Sequence, residues 1–276
     1  MDDKEQHIPS PTKQETDEMW ANVISRIKKQ EKDKQRRKIR RFSIVSLAAI
    51  LLVFGGSLTY RMLTRPDIYS AHDRTLTVIL TDHSQVTLLK GARLTVEKSF
   101  LAETRDVFLE GDAVFQVSKS KSHPFIVHGI GYETKVLGTI FKVTQNGKTF
   151  NVDLYEGKVQ ITKNDKPKDV FVLRPKETFS NMGIPKAATI IATKNKETAS
   201  IMRKATLSFD NTNLTDVVIV LEQTFDIKIT FPTEFGNQKI TTIKEKATPI
   251  DVIRLISSQL DLTIKNIDDK TFELEK

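Results

Sequence analysis

The chain contains no cysteine, which removes disulfides, thiolate metal sites and cysteine nucleophiles from any account of its fold or chemistry. That absence leaves the compartment open, because a cysteine-free chain folds in reducing and oxidising surroundings alike. Histidine is scarce too, and the five present are poorly spaced for a metal. His72 and His83 are far apart in sequence, and His123 and His128 fall on opposite faces of any regular strand. They read as solvated or turn histidines. No Walker loop and no Ser/His/Asp set occurs, and the acids are scattered over turns and helices. The residues therefore point to no enzyme, no cofactor and no metal site.

Long apolar runs are absent except for one. Phe42 to Tyr60 is a stretch without charge whose only hydroxyls besides Tyr60 are Ser43, Ser46, Ser57 and Thr59. As a helix it rises about 28 Å, close to the ~30 Å hydrocarbon core of a bilayer. A secretory signal begins at the N-terminus, whereas this run follows a segment with its own helical pattern, so a retained span is expected. Lys29 to Arg41 holds eight Lys or Arg against Glu31 and Asp33, and downstream only Arg61, Arg65 and Arg74 are near. Basic residues stay on the cytoplasmic side, which puts the N-terminus inside and the remainder outside the inner membrane. Because the basic run abuts the apolar one, its expected partner is the lipid bilayer, with no direct nucleic-acid binding.

Upstream, Glu15 to Lys29 places Met19, Trp20, Val23, Ile24 and Ile27 on one helical face, with acids early and bases late as the helix dipole favours. One amphipathic helix cannot bury its stripe alone. It lies on the membrane or is covered by a partner protein.

Helical periodicity is missing from Leu76 to Ser180, where short segments alternate with period two and turns fall at Asp82-His83, Lys90-Gly91, Asn146-Gly147, Glu156-Gly157 and Asn164-Asp165. This predicts an all-β domain, sandwich or solenoid-like. After a polar stretch the pattern changes to strands and helices whose halves match at a constant offset: Asp216 with Asp251, Val217 with Val252, Leu221 with Ile256, Phe225 with Leu260, Asp226 with Asp261. A small α+β domain made of a duplicated βαβ unit is expected, with Thr212 and Thr248 capping its helices. The expected organisation is 1–41 cytoplasmic helix and basic run, 42–60 span, 61–75 linker, 76–180 β-rich domain, 181–204 linker and 205–276 α+β domain.

Four ordered stretches carry a resemblance: Arg105 to Phe115, His123 to Val127, Val136 to Val143 and Val152 to Val159. In sequence they resemble the R-x-V-x-L-x-G-E-A-x-F, P-F-x-V, V-L-G-T-x-F-x-V and V-x-L-x-E-G-x-V motifs of the FecR family of membrane-bound anti-sigma regulators. Asp82-His83-Ser84 stands where Asp-Gly-Ser is usual, and Pro175-Lys176-Glu177 where Pro-Gly-Glu is usual. Met202, Ala205, Leu207 and Phe209, with the duplication after them, resemble the STN-like C-terminal domain of many FecR proteins.

The resemblance implies a transmembrane anti-sigma factor. It would relay a signal from the signalling domain of an outer-membrane TonB-dependent receptor to an extracytoplasmic-function sigma factor controlling nutrient-uptake genes. It places sigma-factor contact on Met19, Trp20, Val23, Ile24 and Ile27, and receptor contact on Phe225, Ile227, Ile229 and Phe231 by strand addition. It also marks Gly138–Thr139 as a candidate self-cleavage bond, since a threonine hydroxyl can attack the preceding carbonyl of a strained peptide; a Gly-Thr corner is otherwise a turn. The rival expectation is a membrane-tethered periplasmic scaffold or ligand-binding protein that never meets a sigma factor.

Overall fold

The computed structural model describes residues 20, 24–26, 28, 29, 32, 46, 47, 49–59, 65–97, 103–184, 186–192, 203–268 and 270–276. The chain divides into two compact units, Met1–Leu63 and Thr64–Lys276.

In the first unit Trp20, Ile24, Ser25, Arg26, Lys28, Lys29 and Lys32 are helical, and a later helical stretch runs unbroken over 49–59. Its Leu51, Leu52, Val53, Phe54 and Leu58 are all exposed. Thr59 turns its hydroxyl back to donate to the Gly55 and Gly56 carbonyls at 2.9 Å, which satisfies it within the helix. Among the described residues no helix is long and apolar enough to cross a membrane. Phe42 and Tyr60, the ends of the expected span, lie outside the described residues.

The second unit begins with a run of short strands. These are β1 (Asp67–Ser70), β2 (Leu76–Ile79), β3 (Gln85–Leu88), β4 (Arg93–Val96), β5 (Arg105–Glu110), β6 (Ala113–Gln116) and β7 (Phe125–His128). They continue with β8 (Tyr132–Val136), β9 (Ile140–Asn146), β10 (Thr149–Glu156), β11 (Val159–Lys163), β12 (Lys166–Leu173), β13 (Glu177–Ser180) and β14 (Ala187–Ala192). One sheet has the order β1-β4-β5-β7-β8-β11-β12, and the other runs β14-β13-β10-β9-β6-β3-β2. Period-two alternation sends every second side chain inward: Val107 and Leu109 on β5, Phe141 and Val143 on β9, and Phe150, Val152 and Leu154 on β10.

The inward faces meet across the two sheets. Phe115 lies 6.1 Å from Phe125, Tyr132 4.9 Å from Phe150 and Phe171 5.2 Å from Phe179, each pair joining one sheet to the other. The domain is thus a sandwich, not a solenoid. Each buried phenylalanine contributes roughly 1.5–3 kcal/mol, so these rings dominate the core.

One inward position is charged. Arg105 is 1% exposed and shares its face with Val107 and Leu109. Its Nη1 lies 2.6 Å from Asp82 Oδ2 and donates to the Ser118 carbonyl at 3.0 Å, and its Nε donates to the His123 carbonyl at 2.8 Å. Ser84 donates its backbone N–H and its hydroxyl to the same Asp82 carboxylate. Pairing and hydrogen bonding together make a buried charge tolerable, since removing one partner would leave the other stranded.

The chain then builds β15 (Ala205–Asn213), α1 (Leu214–Phe225), β16 (Lys228–Thr230), β17 (Lys239–Ala247), α2 (Pro249–Leu260), β18 (Thr263–Asp268) and β19 (Thr271–Glu275). The duplicated strand-helix-strand unit is present, and both helices end on an aspartate in the left-handed region, Asp226 at φ 57° and Asp261 at φ 55°. β16, β19 and β18 form a small sheet of their own, whereas β15 and β17 extend the second sandwich sheet beyond β14 to nine strands.

Two stretches read as linkers therefore hold strands. β1 lies within 61–75 and pairs with β4. β14 lies within 181–204 and pairs with β13 on one side and β15 on the other. Apart from Thr189, whose buried hydroxyl donates to the Ser180 carbonyl, its run Ala187 to Ile191 is apolar on both faces because both faces are covered: Ala188 and Ile190 enter the sandwich core, while Ala187 and Ile191 pack into the core beneath the helices. Capping also differs between the repeats. Thr248 is the N-cap of α2, donating its backbone N–H and its hydroxyl to Asp251 at 3.0 and 2.6 Å. The N-cap of α1 is Asn213, and the Thr212 hydroxyl instead donates to the Lys186 carbonyl at 3.0 Å.

Candidate functional site

The Gly138–Thr139 corner joins β8 to β9. Gly138 has φ +150°, and a Cβ on it would stand 2.7 Å from Lys119 Cα, a backbone atom that cannot move aside. Gly157, at φ +94°, closes the corner from the other side, where a Cβ would stand 2.9 Å from Thr139 Oγ1. Both glycines are required by close backbone approach as well as by conformation. Thr139 is 3% exposed, and its hydroxyl donates to the Lys158 carbonyl at 3.2 Å. A carbonyl holds the hydroxyl but cannot take its proton, so the corner in this state positions a nucleophile without supplying a base. A pocket of about 520 Å³ opens over it, lined by Lys119, Leu137, Gly138, Thr139, Gly157 and Lys158 among others.

The receptor-contact residues occupy a different setting. Phe225, Ile227 and Ile229 are 0%, 7% and 5% exposed, and Phe231 packs against the same core. Phe225 ends α1, Ile229 is the central residue of β16, and Ile227 and Phe231 flank that strand; all four turn toward the core, so their side chains are not presented to a partner. The outer edge of β16 is partly occupied as well: Lys228 N–H donates to the Lys270 carbonyl on the side paired with β19, whereas Ile229 N–H, directed away from β19, donates to Glu222 Oε1 at 2.9 Å. The longer edge is β17, nine residues at the end of the nine-stranded sheet, where Ile243 is 62% exposed.

Of the helical stripe, Trp20 and Ile24 are helical and exposed, 63% and 47%. Met19, Val23 and Ile27 lie outside the described residues. His128, read as solvated or in a turn, is on β7, bonded to Asp106 Oδ1 at 2.7 Å and stacked on Phe108 at 4.5 Å. Sequence reasoning passed over the lysines around Gly138, because they are spread from Lys119 to Lys158 along the chain and only the fold brings them to one pocket.

Two family models match the chain in order. The first, "FecR protein", covers residues 67–160, from the first strand of the sandwich into β11. The second, "FecR, C-terminal", covers 206–274, from β15 to β19. Together they span over half of the chain. The chain belongs to the FecR family. Two crystal structures of a candidate anti-sigma factor from Parabacteroides distasonis ATCC 8503, at 2.50 and 1.65 Å resolution, are similar to it at 24% identity. They cover 76% of this chain and 99% of theirs, with a TM-score of 0.38. No curated protein matches the chain. Within this FecR protein, β12 to β14 fall between the two matched regions, and they are the strands that complete the sandwich and carry its sheet into the C-terminal domain.

Proposed function

We propose that this FecR protein is a single-pass inner-membrane anti-sigma regulator. Its N-terminal helix holds an extracytoplasmic-function sigma factor in the cytoplasm, and its β-rich unit receives a signal from an outer-membrane TonB-dependent receptor in the periplasm. Membership of the FecR family carries the reading. Trp20 and Ile24 support the cytoplasmic contact: they stand four residues apart, on one helix face, and both are exposed. The uncharged run from Phe42 to Tyr60 and the asymmetry of basic residues around it support the span and its orientation. A helix apolar on every side needs an apolar surrounding, and Leu51 to Phe54 are exposed in succession.

Receptor contact by strand addition is best supported at β17, whose outer edge is long and carries Ile243, and not at β16, where Glu222 takes the outward N–H. The STN-like character of the C-terminal domain belongs to the same proposal.

The test is capture. The full-length chain, wild type and with Trp20→Ala plus Ile24→Ala, is mixed with each extracytoplasmic-function sigma factor of its own genome. The expected result is retention of one sigma factor by the wild type and loss of most of that retention in the double variant. Retention of none would leave a membrane-tethered periplasmic binding protein as the better account.

A further inference from the structure

The pocket over Gly138 is bordered by four lysines from three places in the sandwich. Lys119 and Lys121 come from the segment after β6, Lys135 from β8, and Lys158 from the β10–β11 turn. Ser120, Thr139 and Gln160 are the other polar residues lining it, and no carboxylate does. All four lysines are exposed. Among the described residues none of the four is in an ion pair, whereas Lys163, Lys166, Lys265 and Lys270 of the same unit each face an acid. Four uncompensated cations around one concavity repel one another. They raise the local positive potential where the walls are low in dielectric, so the site attracts anions.

The lining narrows the class of anion. A compact anion such as phosphate is best held by an arginine fork, a helix N-terminus or a nest of free backbone N–H groups. None of these lines the pocket, which has no arginine and no helix, and the Ser120 N–H is already spent on the Leu137 carbonyl at 2.7 Å. What the pocket offers instead is separated point charges on flexible stems around an apolar wall, with Leu137 46% exposed. Its volume, about 520 Å³, falls within the range of ligand pockets.

We propose that this pocket binds an acidic peptide segment of a partner protein, with spaced carboxylates facing Lys119, Lys121, Lys135 and Lys158 and one apolar side chain against Leu137. Occupation would press on Lys119 and Lys158, the two residues that clamp the Gly138–Thr139 corner, so the site and the corner are mechanically joined. The inference does not rest on sigma-factor or receptor recognition.

The experiment uses the full-length chain and a fluorescein-labelled peptide of four glutamates flanking one leucine, read by anisotropy. Saturable binding is expected, weakened about tenfold by Lys119→Glu plus Lys158→Glu, and weakened again when ionic strength rises well above 0.15 M, where the Debye length falls below about 8 Å. Because Lys119 packs on Gly138, Lys121→Glu plus Lys135→Glu is the second pair and should show the same loss. Lys90→Glu plus Lys228→Glu, exposed lysines outside the pocket, should change binding by less than about twofold. Absence of saturable binding, equal loss in the control pair, or full displacement of the peptide by inorganic phosphate at matched ionic strength would each overturn the proposal.

Discussion

His83 and Lys176 occupy the left-handed backbone region at φ 65° and φ 69°, and both side chains are exposed. These are the two positions where the family pattern usually has glycine. A residue with a Cβ costs about 1–2 kcal/mol there, while glycine costs about 0.5–1 kcal/mol in chain entropy. His83→Gly and Lys176→Gly should therefore each stabilise the protein by about 0.5–1 kcal/mol, seen as a higher urea midpoint at unchanged slope. A lowered midpoint in either would contradict this account of the turns. Tyr132 gives a second prediction at this scale. Burial pushes its phenol from 10.0 up to about 12. Below pH 10 the group is protonated in both states and contributes no pH dependence. Between about 10 and 12 the unfolded chain releases the proton while the native state keeps it, so stability falls by about 1.4 kcal/mol per pH unit and then levels. Tyr132→Phe should remove that segment of the alkaline stability curve and leave the rest. Arg105 shows where reading stops at this scale. Its register with Val107 and Leu109 points inward, but its charge argues outward, and only the Asp82 partner across the sandwich settles the conflict.

At the scale of elements, the two halves of the C-terminal domain agree in backbone more closely than in side chains. Asp226 and Asp261 end their helices in the same left-handed conformation, a state that a short polar side chain tolerates. The caps at the other ends have diverged. Thr248→Ala removes the hydroxyl that bonds Asp251, leaving the backbone N–H in place, and should cost about 1 kcal/mol of unfolding free energy. That loss should shrink on acidification, because the Thr248 hydrogen bonds hold the Asp251 carboxyl below the usual carboxylate range and fail as pH falls through its native value. An equal loss at every pH would show that the threonine acts without the carboxylate. The duplication, the helices and most strands of the sandwich were legible, because each rests on local periodicity. What was not legible depended on which faces meet. Period two cannot separate a sandwich from a solenoid, and the apolar run in β14 sat inside a stretch whose polar flanks read as linker. The same limit applied to the site: the Gly138–Thr139 dipeptide was visible in sequence, but its close approach to Lys119 and Gly157 comes from the segment after β6 and the β10–β11 turn.

Across the whole Thr64–Lys276 unit, β14 is the member that no domain can claim. It contributes alternate side chains to two cores and hydrogen-bonds to β13 and β15, so the sandwich and the C-terminal domain share one nine-stranded sheet. Two domains joined by a flexible tether would melt separately, whereas domains joined through a central strand lose contacts on both sides when either unfolds. Heating should therefore give one cooperative transition for the whole unit, with matched calorimetric and van't Hoff enthalpies. Thr189 sits at the middle of the seam, opposite Ser180 on one side and Leu207 on the other. Proline there deletes a ladder hydrogen bond from a central strand and opposes continued pairing. Thr189→Pro should split the single transition in two, or leave the earlier strands folded while the C-terminal domain melts first. Two well-separated transitions already in the wild type would mean that β14 does not couple the cores. A single transition would mean that the β17 edge and the Gly138–Thr139 corner belong to one cooperative unit, linked by backbone pairing from β17 by way of β15, β14, β13 and β10 to β9.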